Sequence, residues 1–147
     1  MKFFFRTMNL IYSTFVVSSL IIVGISIYLW NFELEIQNNL SPIKTLILMF
    51  FVLISTVFAQ YIYNKNLSRV GQNDHVTLKL QTYQTASIYR LSILESTLII
   101  TVLFFIFSKM WIILIPVIIL LILIIFSRPS KKAFLNFFRL SEQELKI

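Results

Sequence analysis

Residues 110–127 read MWIILIPVIILLILIIFS, eighteen positions without one charged side chain. A helix of that length rises about 1.5 Å per residue and reaches about 27 Å, close to the hydrocarbon thickness of a bilayer. The run before it, from about Tyr89 to Phe107, has the same character. Only Ser108-Lys109-Met110 separates the two, which is room for a tight turn and predicts an antiparallel helical hairpin. Two further runs precede them, from about Met8 to Trp30 and from about Ile43 to Tyr63. None alternates as a barrel strand does, and backbone polar groups inside a bilayer must be satisfied within the segment. The sequence therefore predicts an all-α polytopic membrane protein with four transmembrane helices at 8–30, 43–63, 89–107 and 110–127. These form one membrane domain over 1–147, with a loop at 64–88 and a tail at 128–147.

Composition agrees. Of the 147 residues, 58% are hydrophobic and 13% charged, with mean hydropathy +0.85, whereas soluble domains carry about 25% charged residues. A soluble enzyme, a disordered tail and a secreted module are excluded on that ground. Lys2 and Arg6 precede the first run, but the chain has only three alanines (Ala59, Ala86, Ala133) and no small-residue cleavage site after that run. The expectation is a retained helix rather than a removed signal peptide.

The net charge of +7 invites a nucleic-acid reading. Its distribution argues otherwise, because the basic residues flank apolar runs, where they orient helices and meet anionic headgroups. With the N-terminus in the cytoplasm, eleven of the thirteen basic residues fall on the cytoplasmic side, all but Lys44 and Lys109. Trp30 and Trp111 then lie at the external interface and Tyr12, Tyr61, Tyr63 and Tyr89 near the internal one. The expected topology is N-in, C-in, in the inner (plasma) membrane.

On the cytoplasmic side, Gly71-Gln72-Asn73-Asp74 is a turn signal, and from Thr77 no breaker occurs until Ser108. One long helix is expected, its first part projecting from the bilayer. Pro129 stops the fourth helix and Ser130 caps a short one. There Phe134, Leu135, Phe137 and Phe138 share a face, with Lys132, Asn136 and Arg139 opposite. That pattern predicts an amphipathic helix on an anionic leaflet, with Lys131, Lys132, Phe134, Phe137, Phe138 and Arg139 as its membrane-surface residues. Ser141-Glu142-Gln143-Glu144 has capping-box spacing and predicts a final turn.

Glu95 is the outlier among the candidate site residues. It lies within the third run, five residues past Arg90, where an ionised carboxylate costs several kcal/mol unless paired, wet or protonated. Helical spacing puts Gln81, Thr85, Ile88, Ser92 and Glu95 on one stripe. Gln60 on the second helix, and Ser13, Thr14, Ser18 and Ser19 on the first, sit at a similar depth. Glu95 with Gln60, Ser92 and Arg90 reads in two ways: a proton- or cation-binding carboxylate in a half-channel, or a helix-packing group bonded to Gln60 and serines.

No enzyme is expected. The chain has no cysteine and one histidine, His75 beside Asp74 in a polar loop, so neither a metal site nor a nucleophile–base pair can be assembled. Gly24 and Gly71 cannot build a phosphate-binding loop, and no cofactor is expected. A glutamate in a hairpin is similar to the ion-binding hairpin of rotary ATPase rings. Those rings pack Gly- and Ala-rich helices closely, and here the third and fourth helices hold no glycine and no alanine beyond Ala86.

Two stretches together carry a resemblance: Ala86-Ser87-Ile88-Tyr89-Arg90 leading to Glu95, and Arg128-Pro129-Ser130 leading to Leu140-Ser141-Glu142-Gln143-Glu144. Their layout resembles that of small, uncharacterised four-helix bacterial inner-membrane proteins, over the C-terminal half of the chain. Ser96 stands where that pattern often has glycine. The resemblance implies the same topology and brings no activity. The expected function is a non-enzymatic membrane subunit, as a homo-oligomer or with other membrane subunits, docking through the helix at about Thr77–Arg90 and the basic tail. The rival expectations are a small ion channel, a proton-coupled element or a pore-forming effector, each using Glu95.

Overall fold

The computed structural model describes residues 2–30, 42–71, 74–108, 110–138 and 140, leaving out the side chains of residues 2, 30 and 42. All regular structure among them is helical: α1 (Lys2–Trp30), α2 (Pro42–Leu67), α3 (Val76–Ser108), α4 (Leu114–Phe126) and α5 (Lys131–Phe138). A 3₁₀ turn, Trp111–Ile113, leads directly into α4. Three helical segments, Phe3–Leu29, Ile43–Leu67 and Val76–Ser108, are long and apolar enough to cross a membrane.

Helices and apolar runs do not end together. α2 continues past Tyr63 to Leu67, and α3 begins at Val76, well before the run at Tyr89. Hydropathy marks where the bilayer would end, whereas a helix continues until something stops it. For α2 the first breaker is Gly71. The turn there closes when the Gly71 N–H donates to Asp74 Oδ2 at 2.7 Å.

The fourth run differs from a plain helix for a chemical reason. Pro116 has no N–H to donate to the Ile112 carbonyl, and its ring crowds that oxygen. The chain enters through a 3₁₀ turn in which the Ile113 N–H donates to the Met110 carbonyl at 3.1 Å. Pro116 then falls in the first turn of α4, where a missing donor is harmless. Residues 111–126 reach about 25 Å at about 2.0 and 1.5 Å per residue for the two helix types. The chain then bends by 75° into α5.

α3 is the central element, packed on by α1, α2 and α4, and α1 also meets α4. The core forms three layers along it. At one end Leu48 of α2, Phe105 of α3 and Ile113 pack together. The middle layer joins Val52 and Ala59 to Leu91, Leu94, Leu98 and to Val117, Leu120 and Ile124 of α4. At the other end Met8 near the start of α1, Leu67 at the end of α2, Leu80 and Tyr83 of α3, and Phe134 and Phe138 of α5 form one cluster. α4 thus returns the chain from the Ile113 layer to the layer holding Met8 and Leu67. The first part of α3, expected to project from the bilayer, packs against α5: Lys79 is 2% exposed, with Nζ 6.0 Å from the Phe138 ring centre.

Candidate functional site

The four residues grouped by sequence around mid-helix depth separate into two places. Arg90 and Glu95 are five residues apart on α3, about 140° around its axis at about 100° per residue. Glu95 is half-buried, and Ser18 of α1 donates its hydroxyl to Glu95 Oε1. That hydroxyl also lies 2.9 Å from the Phe15 carbonyl. With one hydrogen and two acceptors in reach, it serves one at a time. Ser92, half-buried, lies about 60° from Glu95 on the same side of α3. Beside this bond Ser13, Thr14, Val17, Ser18 and Ile21 line an open groove along α1. Ser13 and Thr14 are exposed there, and both hydroxyls donate to the Leu10 carbonyl.

Gln60 is elsewhere. It is exposed on α2, donates to Asn64 Oδ1 one turn on at 3.2 Å, and lines a cavity with Arg90, Leu94 and Leu123. It makes no bond to Glu95. Arg90 is half-buried, its guanidinium 5.2 Å from the centre of the Tyr63 ring. Of the proposed partners, only the serine side of α1 reaches the carboxylate.

The short tail helix α5 forms as the sequence predicts, with Ser130 Oγ accepting from the Ala133 N–H at 3.1 Å. Its apolar face divides. Phe134 and Phe138 turn inward, Phe134 at 0% exposure with ring centres 5.3 Å from Tyr83 and 6.1 Å from Phe5. Phe137 remains 46% exposed, and Lys131 and Lys132 are exposed beside it. Phe134 and Phe138 are therefore protein core rather than leaflet contacts, because the aromatic layer of α1, α2 and α3 supplies the apolar cover. Arg139 and the segment 141–147, with its expected final turn, lie outside the described residues, as does the 31–41 connector.

Several residues position these sites in ways that the sequence reading did not assign to them. Pro129 stands four residues after Ile125, so the Ile125 carbonyl has no N–H to receive in the α-helical register. The Tyr12 hydroxyl of α1 donates to that carbonyl instead, and Arg128 Nε donates to Asn9 Oδ1 at 3.4 Å. Tyr83 does a similar task one turn later, accepting from the Ser130 N–H and donating to the Ser130 carbonyl at 3.3 and 3.4 Å. The second missed signal is the packing role of buried hydroxyl residues. Ser19 and Ser26, one heptad apart, are both 0% exposed, and Thr97 and Thr101 are buried on α3. In a chain with two glycines and three alanines, Ser and Thr are the small residues that allow close helix approach.

No family model, curated protein or solved structure matches the chain.

Proposed function

We propose that this chain is a non-enzymatic integral subunit of the inner membrane, with four spans and both termini cytoplasmic, working as a homo-oligomer or within a larger membrane complex. The layering of the core supports the four-span reading. Met8, Leu67 and Phe134 meet at one end of the bundle and Leu48, Phe105 and Ile113 at the other, so α2, α3 and the 3₁₀–α4 segment each run between the two ends, and α1 starts from the first. Under this topology the sequence assigns eleven of its thirteen basic residues to the cytoplasmic side, which favours placing the Met8–Leu67–Phe134 layer there.

The observation that carries the subunit reading is the outer surface of α1. Leu10, Val17, Leu20, Ile21 and Ile25 are exposed and apolar, yet Ser13 and Thr14 interrupt them beside the Ser18–Glu95 bond. A polar strip set in an apolar face is what a further membrane helix covers, since Ser and Thr hydroxyls bond across helix interfaces. The groove is open along one helix rather than enclosed by several, which favours a contact surface over a conduit.

A proton- or cation-binding Glu95 is the second reading, favoured by the carboxylate's half-buried place beside that strip. Native mass of the gently extracted protein, with identification of what co-purifies, tests the first. A stoichiometric homo- or hetero-assembly that a Ser13→Leu/Thr14→Leu variant loses is the expected result. A strictly monomeric particle with Glu95-dependent ion flux in liposomes overturns it in favour of the second.

A further inference from the structure

One pair of cavities belongs to neither reading. The first, about 160 Å³, lies between α2, α3 and the bend after α4, with Arg90 and Arg128 both in its wall beside Tyr63 and Tyr83. Three of its four hydroxyls, all but that of Tyr63, are committed to backbone carbonyls. Ser87 donates to the Tyr83 carbonyl at 2.8 Å, Ser127 to the Leu123 carbonyl at 2.6 Å, and Tyr83 to Ser130. What remains to be satisfied is cationic. The Arg90 guanidinium makes no hydrogen bond among the described residues, and Arg128 uses only Nε, on Asn9. The two described carboxylates are occupied elsewhere, Asp74 on the Gly71 N–H and Glu95 on Ser18. Two arginines in the wall of a small cavity with no carboxylate among its described lining residues suit a phosphate group, which takes paired N–H donors. The volume is below that of a pocket for a drug-sized molecule.

The second cavity has Arg90 in its wall as the first does, and Ala59 and Leu94 of the middle core layer also line it. It is about 230 Å³ and mostly apolar, lined by Val57, Ala59, Leu94 and Leu123 with Thr56 and Gln60, between α2 and α4. Arg90 stands at the junction, with a polar chamber on the cytoplasmic side and an apolar slot on the membrane side. A free anion would use the chamber alone. A lipid uses both.

We infer that these two cavities hold one anionic phospholipid, its phosphate between Arg90 and Arg128 and an acyl chain in the slot between α2 and α4. Basic pockets between membrane helices on the cytoplasmic side are suited to such headgroups. The site rests on the membrane placement of the bundle and not on its assembly with other subunits.

The test uses the full chain extracted in mild detergent, exchanged into phosphatidylglycerol, phosphatidylcholine or inorganic phosphate, and weighed by native mass spectrometry. One phosphatidylglycerol per chain is expected to survive activation, with phosphatidylcholine lost. Arg90→Gln is expected to weaken retention about tenfold or more, the size of a charge-assisted hydrogen bond, and Arg69→Gln, in the exposed α2–α3 turn, to leave it unchanged. Val57→Trp, at an exposed edge of the slot, is expected to weaken phosphatidylglycerol retention equally. Should Arg90→Gln not fold by circular dichroism, Arg128→Gln and Val57→Trp carry the same comparison. Equal retention of both lipids by all variants means annular lipid only and overturns the site. Displacement of phosphatidylglycerol by inorganic phosphate, with Val57→Trp indifferent, means a small-anion site and overturns the lipid. Either failure leaves the co-purification test of the subunit reading untouched.

Discussion

Replacing Phe134 with alanine tests how the tail is held. α5 has eight residues, too few to persist as a helix in isolation, so its order depends on what it buries. Phe134 is 0% exposed and its ring meets Tyr83, Phe5 and Phe138 with centres 5.1–6.1 Å apart. Truncating a buried phenylalanine costs about 3–5 kcal/mol, which lowers the ratio of docked to undocked tail roughly 10²–10⁴-fold. Phe137, on the same helix, is half exposed and touches chiefly Phe138 at 5.2 Å. An edge-to-face pair is worth about 0.5–1.5 kcal/mol, so Phe137→Ala lowers the same ratio about tenfold at most. Hydrogen exchange of amides 131–138 in lipid nanodiscs reads both. The expected outcome is exchange in Phe134→Ala at least tenfold faster than in Phe137→Ala. Equal protection in the two variants refutes the docked tail and returns α5 to the leaflet surface.

Other outcomes follow from single contacts. Tyr12→Phe strands the Ile125 carbonyl that Pro129 cannot serve, and is expected to cost about 1 kcal/mol, seen as a lowered detergent-melting temperature; no change means another donor reaches it. Ser19 Oγ is buried with no partner among the described residues, so Ser19→Ala is expected to be neutral or stabilising in the same melt. Ser19→Leu is expected to cost about 1–3 kcal/mol by overpacking, and a stable Ser19→Leu contradicts the close approach of α1. Glu95→Gln keeps a side-chain oxygen that accepts from the Ser18 hydroxyl, so helicity and assembly are expected to survive. Collapse of the fold in that variant contradicts the packing role assigned to the Ser18 contact.

The long apolar helices and the turn from α3 back along α4 were legible because uninterrupted apolar length is itself the physical requirement of a bilayer. The long α3 was equally legible, since no glycine or proline lies between Thr77 and Ser108. Partners were not. An apolar face on α5 shows that Phe134 and Phe138 need cover, but lipid and an aromatic core satisfy that need alike. Glu95 stood out as a costly group, yet choosing Ser18 over Gln60 required knowing that α1 and α2 lie on different sides of α3. Pro129 was read as a stop, whereas its effect on the Ile125 carbonyl could be worked out from spacing alone. The identity of the donor, Tyr12, more than a hundred residues away, could not.

The account turns on α4 crossing from one side of the membrane to the other. The cysteine-free chain allows a direct measurement, in which Ser68→Cys, Trp111→Cys and Phe137→Cys are each exposed to a membrane-impermeant maleimide before and after permeabilisation. The account predicts labelling of Trp111→Cys in intact cells, and of Ser68→Cys and Phe137→Cys only once the membrane is opened. Labelling of Ser68→Cys and Phe137→Cys from opposite sides, or of all three from one side, contradicts it.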